Sequence, residues 1–508
     1  MNGAKQKYYL TAAIDYANGA PHLGHAIEKI GLDAMARYRR LRGESVHLLI
    51  GMDEHGLKVM QSADAAGITP QQWVDDVAEQ FQRTWQRLGI SNDDFIRTTQ
   101  DRHRPAVHEM IRRIGESGDL YSGSYAGWYC VGCEAFKRDD ELVAGADADA
   151  QPSCPVHPTR DVVWTEEENW FFRLSRYQDR LLKLLDERPS FIQPESRLNE
   201  IRRVIEGGLE DISVSRARVP WGVPWPGDEA HTVYVWLDAL TNYLSAIGFP
   251  DDRYQQYWPA DVHVIGKDIT RFHCIYWPAF LMSAGIDLPT TVWAHGFVTV
   301  GGGKLSKSEG VTVALDDAID RHGADAFRFF LLREIPWNGD GEFSWERFDE
   351  RYTSELADNF GNLASRLLAM IERYRDGVVP AGGRTPLDED IATALVRYRG
   401  AMDSHLLHQG AAAAIQLSTA ANQYVDTRAP WSQAKDPAQA GELDDTLGAL
   451  ARCVAALAVL LFPFMPSRMA DLTQRLGFEA VPALDDVATL DLAGHGTTRG
   501  EILFPKPR

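Results

Sequence analysis

Long apolar runs, cysteine and surplus positive charge are all scarce in this chain. The longest apolar run, Cys453 to Met465, is too short to span a bilayer, and Pro463 interrupts it. Met1 to Lys7 is polar with no apolar stretch behind it, so nothing there reads as a secretion signal. Five cysteines in 508 residues are an odd and sparse set. They exclude a disulfide framework and point to a reducing compartment, the cytoplasm being the simplest. A net charge of −20 excludes an all-over nucleic-acid surface but not a local basic one. Arg37-Tyr38-Arg39-Arg40 and Arg102-His103-Arg104 are candidates for such a patch, with solvated helix faces as the plainer reading. The P-loop pattern is also absent, so ordinary γ-phosphate chemistry is not indicated.

What is present is globular in composition, 44% hydrophobic and 24% charged, and the length calls for roughly two to four domains. Lys7 to Ile14 reads as a buried strand, followed by a turn-rich stretch from Asp15 to Pro21. Ile27, Ile30, Ala34, Tyr38 and Leu41 then recur at helical spacing until Gly43, and Val46 to Ile50 reads as a second strand. Strand, helix, strand in that order predicts a parallel sheet in an α/β fold. Residues 118–225 differ, with three of the cysteines, loop-rich composition and a Trp/Pro-rich exit, and read as an insertion. The sheet pattern resumes at Val233-Tyr234-Val235-Trp236 and at Val262 to Gly266. From about Trp345 onward amphipathic helices take over, with Leu356, Phe360, Leu363, Leu367 and Ile371 on one face.

Two short motifs nearly 280 residues apart carry the chemistry. His22-Leu23-Gly24-His25 falls at the start of the first helix, just past the first strand, where parallel sheets place ligands. A helix start offers free N–H groups and a positive dipole end to phosphate. His22 and His25, at i and i+3, face the same way, and Gly24 leaves the backbone open to a flat base. Gly301-Gly302-Gly303 leads into Lys304-Leu305-Ser306-Lys307-Ser308, a glycine-flanked loop whose lysines and serines suit a departing pyrophosphate. Separately, Cys130-x-x-Cys133 and Cys154-x-x-His157, twenty residues apart, match a closed tetrahedral Zn²⁺ site of structural type. Asp147 and Asp149 between them read as solvated.

His22 to His25 resembles the HIGH motif of class I aminoacyl-tRNA synthetases, and Lys304 to Ser308 their KMSKS motif, with Leu305 in place of Met. Gly323-Ala324-Asp325-Ala326-Phe327-Arg328 is similar to that class too. Within it, Thr11 to Gly19, Tyr234-Val235-Trp236-Leu237-Asp238-Ala239 and Gly266-Lys267-Asp268-Ile269 with His273 resemble the methionyl-tRNA synthetase family over nearly the whole chain. The resemblance implies a Rossmann-like catalytic domain (residues 1–117 and 226–290), a connective insertion with a zinc knuckle (118–225), a KMSKS-type loop and stem-contact region (291–345), and an all-α anticodon-binding bundle (346–508). It implies ATP contacts at His22, Gly24, His25, Gly266, Asp268, His295, Val298, Lys304, Ser306 and Lys307. His22, His25, Lys304 and Lys307 would be the catalytic set.

Methionine would meet Ala13, Ile14, Tyr16, Trp236, Ala239, Leu240, Ile269 and His273, with Asp53 on its ammonium group. Tyr243 would reach the thioether through its hydroxyl. A hydrogen bond to sulfur rejects an all-carbon isostere, and aromatic edges pack well on a thioether. Asp15 and Leu240 stand where some members have Pro, which bears on the pocket's fine shape. Asn362, Arg366, Pro430 and Trp431 would read the anticodon, Trp431 by stacking on an unpaired base. Mg²⁺ would accompany ATP, one structural Zn²⁺ would sit in the knuckle, and methionine tRNA would be the macromolecular partner. No membrane partner is expected, and no further RNA-binding or dimerisation module is visible after the bundle, so a monomer is expected. Two alternatives stay open: a class I enzyme for another small amino acid, and a non-catalytic RNA-binding relative.

Overall fold

The structure, a computed structural model, describes residues 6–130, 135–137, 139–143, 151–156, 158, 160–217, 219–300, 303–304 and 313–506. Its centre is a parallel sheet in the order Asp94–Arg97, Ser45–Asp53, Lys7–Ala12, Val262–Gly266, Thr291–His295, Ile192–Gln193, with Asp15–Tyr16 pairing along the end of Ser45–Asp53. Register is set by pairs such as Leu10 with Leu48, Leu10 with Val262, and Val264 with Trp293. Both faces are covered, so these strands are apolar almost without break. The period of two still shows in what each residue meets. Tyr8, Leu10 and Ala12 join one core, whereas Tyr9 and Ala13 join another.

The strand order reverses beside Lys7–Ala12. The chain builds outward to one side of it through residue 97 and returns to its other side at Val262. The carboxyl ends of Lys7–Ala12 and Val262–Gly266 therefore flank a crevice, and the Ala13 N–H donates to the Val264 carbonyl at its floor (3.0 Å).

The insertion's outer part is a long antiparallel ribbon, Leu120–Cys130 against Val162–Phe172. Ile192–Gln193, inside the segment expected to be an insertion, instead extends the central sheet. A second departure concerns Val233 to Trp236. Asp228–Val233 is a strand of a separate three-stranded antiparallel sheet, and Val235–Leu240 is a short helix. A four-residue apolar run has no periodicity to separate buried strand from buried helix. Here tertiary packing turns the chain at Tyr234, whose N–H is taken by the Val214 carbonyl (2.9 Å).

Beyond Phe343 the described residues form helices, among them Asn362–Arg375, Pro386–Asp403, Leu407–Arg428 and Ala440–Leu461, with one isolated bridge between Val378 and Gly496. Leu356, Phe360, Leu363, Leu367 and Ile371 are all buried, as their spacing predicts. They belong to the same continuous core as Leu10, Leu48 and Val264, so the helical region and the sheet share one hydrophobic interior. Across that junction Arg328 lies fully buried. It donates to Asp33 (2.6 Å) and to the carbonyls of Leu88 (3.1 Å), Pro463 (2.9 Å) and Phe464 (3.1 Å).

Arg328→Leu would leave the buried Asp33 carboxylate with Arg37 as its one remaining cation, beside the Ser91 donors. We expect it to cost about 3–5 kcal/mol in chemical denaturation; a loss within about 0.5 kcal/mol, as at an ordinary surface position, would show the pair to be dispensable.

Candidate active site at the sheet switch point

His22 is the N-cap of the helix Leu23–Leu41, with extended backbone (φ −138°, ψ 178°). Its Nδ1 accepts from the Gly24 N–H (3.1 Å), and His25 Nδ1 accepts from the His22 N–H (3.2 Å). The two imidazoles stack, centroids 3.8 Å apart. An accepting Nδ1 carries no proton, so each neutral ring holds its N–H at Nε2. Two such donors beside a helix start with no acidic residue in its first turn make an anion site. A Cβ at Gly24 would lie only 3.0 Å from the His22 ring, so the glycine also makes room for that imidazole.

Across the crevice, Gly266 ends its strand where a Cβ would meet Asp268 Oδ1 at 2.7 Å. Lys267 ion-pairs with Asp340 (2.6 Å), which also accepts from the Phe297 N–H (2.8 Å), and this ties the Asp268 loop to residue 340. Buried His295 and Val298 flank that junction in sequence, and Val298 starts a strand, Val298–Val300, whose neighbour Thr299 pairs with Lys304. Ser306 and Lys307 lie outside the described residues, as does the Lys304 side chain.

An aromatic box adjoins this region. Trp236 stacks on Phe272 (3.7 Å, 4°), and Tyr243 stacks on His263 (4.2 Å) with Trp277 6.0 Å away. His273 Nδ1 meets the Ile269 carbonyl (3.1 Å) and its Nε2 meets the Tyr243 hydroxyl (2.7 Å). A carbonyl only accepts, so Nδ1 carries the proton and Nε2 accepts. Burial lowers the His273 pKa to about 4, which keeps that ring neutral. The Tyr243 proton is thereby directed to His273, and the phenol oxygen and ring face are what Tyr243 has left for a ligand. Ala239 and Leu240 are buried on the same short helix as Trp236. Ala13, Ile14 and Asp53 follow the carboxyl ends of the two central strands, and Tyr16 sits beneath Lys58 (5.5 Å).

Two charged groups escaped the sequence reading. Lys29, fully buried, donates to Asp15 (2.8 Å), Glu28 (2.6 Å) and the Ala13 carbonyl (3.1 Å). The second Glu28 oxygen meets His295 Nε2 (3.1 Å). Burial, opposed by Lys29 and reinforced by Glu28, raises Asp15 to about 7. For Glu28, burial is outweighed by Lys29 and His295, and its pKa falls. Asp15 is thus about half protonated at neutral pH, and its Oδ2 has no hydrogen-bond partner among the described residues. A Glu-Lys pair within a helix buried nearly all round was the available signal.

A third group centres on buried Asp238, which joins His55 Nδ1 (2.7 Å) and His103 Nε2 (2.7 Å). Burial would raise this carboxyl, but the two imidazoles prevail and hold it at about 2. His103 and Arg102 are therefore not open to RNA as a basic patch. His103 is buried and Arg102 chelates Asp94 (2.7 and 2.8 Å). Arg37, Arg39 and Arg40 likewise pair with Asp33, Glu44 and Asp93.

Cys130 and Cys154 are buried in one small cluster with Val162, while Cys133 and His157 lie outside the described residues. Among the described residues no group of three metal-ligating side chains is assembled. In the helical region Asn362 is exposed, Pro430 buried, and Trp431 41% exposed with the Arg366 guanidinium 5.7 Å from its ring centroid.

The chain matches the family of class I tRNA synthetases (M) over residues 8–368 and the anticodon binding domain of methionyl tRNA ligase over 377–507. It is 42% identical to a methionine–tRNA ligase of Streptomyces coelicolor, across 99% of this chain and 97% of that protein. A methionine–tRNA ligase of Brucella suis is 44% identical, across 99% and 98%. Among solved structures, Mycobacterium tuberculosis methionyl-tRNA synthetase in complex with methionyl-adenylate superposes with a TM-score of 0.94 at 41% identity, covering 98% of this chain and all of that one.

The Asp15 reading has a measurable consequence. A carboxyl that titrates near 7 when folded and near 3.8 when unfolded binds the extra proton in the folded state. Stability then falls as pH rises between those values and levels off above. Asp15→Asn should remove that fall, gaining on the native chain between about pH 5 and about pH 8 in urea unfolding. Parallel curves for the two proteins would mean that Asp15 is ionised throughout.

Proposed function

This chain belongs to the methionine branch of the class I tRNA synthetase family, and we propose that it activates L-methionine with ATP and transfers the methionyl group to the 3′-terminal adenosine of methionine tRNA. The observation that carries this is the paired-histidine helix start at the sheet switch point, set beside the Trp236–Tyr243 aromatic box. One half suits a polyphosphate and the other a soft apolar side chain.

In the first step a methionine carboxylate oxygen attacks the α-phosphorus of ATP, and the bond to the bridging oxygen of pyrophosphate breaks. No side chain is needed as a nucleophile. The Nε2–H groups of His22 and His25 donate to phosphate oxygens as charge shifts toward the leaving group, and Lys304 and Lys307, with Ser306, follow it. Gly24, Gly266, Asp268, His295 and Val298 hold the nucleoside end. Asp53 binds the ammonium group, and Ala13, Ile14, Tyr16, Trp236, Ala239, Leu240, Tyr243, Ile269 and His273 enclose the side chain. Glu28 and Lys29 act from below, holding His295 and the strand end at Ala13. Mg²⁺ would accompany ATP and would supply further charge neutralisation.

We assign residues 346–508 to tRNA recognition, with Trp431 as the stacking platform and Asn362, Arg366 and Pro430 around it. Exposure of a large aromatic ring next to a cation favours that role. The knuckle ligands Cys130, Cys133, Cys154 and His157 suit one structural Zn²⁺, and the shared burial of Cys130 and Cys154 fits a thiolate pair at the ribbon's end. The chain is proposed to act as a monomer in the cytoplasm. Among the described residues no helix is long and apolar enough to cross a membrane.

The test is pyrophosphate exchange into ATP without tRNA, across methionine, valine, isoleucine, leucine and cysteine. Exchange with methionine should far exceed the rest, and Lys307→Ala should slow it about a hundredfold or more. Trp431→Ala should keep exchange and lower tRNA charging about tenfold or more, the loss of one stacked base. No exchange with any amino acid, from folded protein, would overturn the reading. Metal analysis of the purified chain should return one zinc per molecule, and a fully active zinc-free preparation would remove the knuckle assignment.

A further inference from the structure

Behind the nucleoside end of the site runs a segment outside the substrate contacts proposed above, Pro336 to Gly341, which joins the helix Ala324–Glu334 to the strand Gly341–Phe343. It follows residues 295–298 almost one for one. The Trp337 indole stacks on the His295 imidazole, with centroids 5.4 Å and planes 15° apart. The Gly339 backbone lies so close to Gly296 that a Cβ there would meet the Gly339 carbonyl oxygen at 2.0 Å. Asp340 accepts from the Phe297 N–H (2.8 Å), and the Gly341 N–H donates to the Phe297 carbonyl (3.0 Å) as Gly341 pairs with Val298. Asp340 also grips Lys267 (2.6 Å), the chain neighbour of both Gly266 and Asp268.

We propose that this segment clamps the ATP wall, and that Trp337 is a positioning residue that sets affinity for the nucleotide and leaves methionine binding alone; the clamp rests on the ATP contacts proposed above. Three observations carry it. His295 is held in its own plane by Glu28 at Nε2 (3.1 Å) and by the Gly296 carbonyl at Nδ1 (2.8 Å). Bonds at both nitrogens still let an imidazole rock about the line joining them, and a ring laid on its face removes that freedom. Trp337 is itself wedged in place. It is buried, and its backbone N–H donates to His408 Nδ1 (3.3 Å) on the helix Leu407–Arg428. The far ring of the indole fills the space of a side chain at Gly31, where a Cβ would lie 2.0 Å from Cη2 and 2.4 Å from Cζ3. Gly31 sits inside the helix Leu23–Leu41 that starts at the paired histidines. A glycine there ordinarily costs helix stability, and here it is the room the indole needs. The indole thus spans from the paired-histidine helix to His295, both of which face the nucleotide. Lastly, the sheet separates the supports of the two substrates. Trp337 and Val298 share one hydrophobic core with the helix Leu23–Leu41, whereas Ala13, Leu240 and Tyr243 belong to the other. A displaced indole is therefore felt at the nucleotide wall and not in the aromatic box.

Gly31→Ala tests the wedge, because its methyl group must displace the indole. In methionine-dependent pyrophosphate exchange the KM for ATP should rise about tenfold, while the KM for methionine stays within about twofold of native. Trp337→Phe withdraws the far ring that the methyl group would strike. The double variant Gly31→Ala/Trp337→Phe should therefore recover most of the ATP affinity that Gly31→Ala loses. Trp337→Phe alone loosens the stack on His295 and should raise the KM for ATP about threefold, and it carries the test where Gly31→Ala does not fold. Urea unfolding of each variant reports the fold independently. A merely structural role for Trp337 would lower the unfolding midpoint, move both KM values together, and make the second substitution add to the first rather than correct it. An unchanged KM for ATP in folded Gly31→Ala would overturn the proposal, and so would equal rises for ATP and methionine. Absence of exchange in the native protein would strike the function proposed above, whereas native exchange with an unaltered KM for ATP in both single variants strikes only the clamp.

Discussion

The guanidinium of Arg328 is fully buried, and four hydrogen bonds hold it to partners from three distant parts of the chain. Its carboxylate partner, Asp33, also takes Arg37 (2.6 Å) and both the backbone N–H (2.7 Å) and hydroxyl (2.5 Å) of Ser91. A buried charge pair adds little net stability over a well-packed apolar substitute, but a half-broken one is costly. Its influence is therefore geometric. The four bonds tie the histidine-bearing helix Leu23–Leu41, the helix Ala324–Glu334 and the Pro463 turn to one another. Asp33 lies eight positions past His25 on the same helix, so the orientation of the histidine-bearing end is set from a point shared with the helical region.

The same economy of charge runs through the site. Glu28 and Asp238 are buried carboxylates held ionised by named cationic or imidazole partners, and Asp15 is the one raised to about 7. Two of these partners lie far away in sequence: His295 is 267 residues from Glu28, and Asp238 is 183 from His55. Burial makes such groups expensive to leave unpaired, so they behave as fasteners for loops that would otherwise be free to drift. Preorganisation of that kind is what a reaction driven by positioning and charge stabilisation needs.

Much of the architecture was legible from pattern. Continuous apolar strands, a helical stripe and turn residues between them led to the parallel sheet, and the His22–His25 spacing placed both rings at one helix start. The stripe from Leu356 to Ile371 was read correctly because helical periodicity over many residues is hard to mimic. Val233 to Trp236 was misread because four apolar residues carry no period. The arginine blocks illustrate the opposite limit. Their composition made them candidates for a basic surface, and only the fold shows the guanidinium groups of Arg37, Arg39, Arg40 and Arg102 already bound to carboxylates.

The sequence by itself determined the long periodic elements, the helix-start motif, the Cys/His spacing and the family, because each is written within a few neighbouring residues or in the order of motifs along the chain. Tertiary structure alone decided which hydroxyl gives its proton to which imidazole and which carboxylate shares Lys29. Those outcomes depend on strand order and on contacts across hundreds of residues. Local propensity cannot encode them, since a side chain's charge state and its available lone pairs are settled only once water is excluded and its partners are in place.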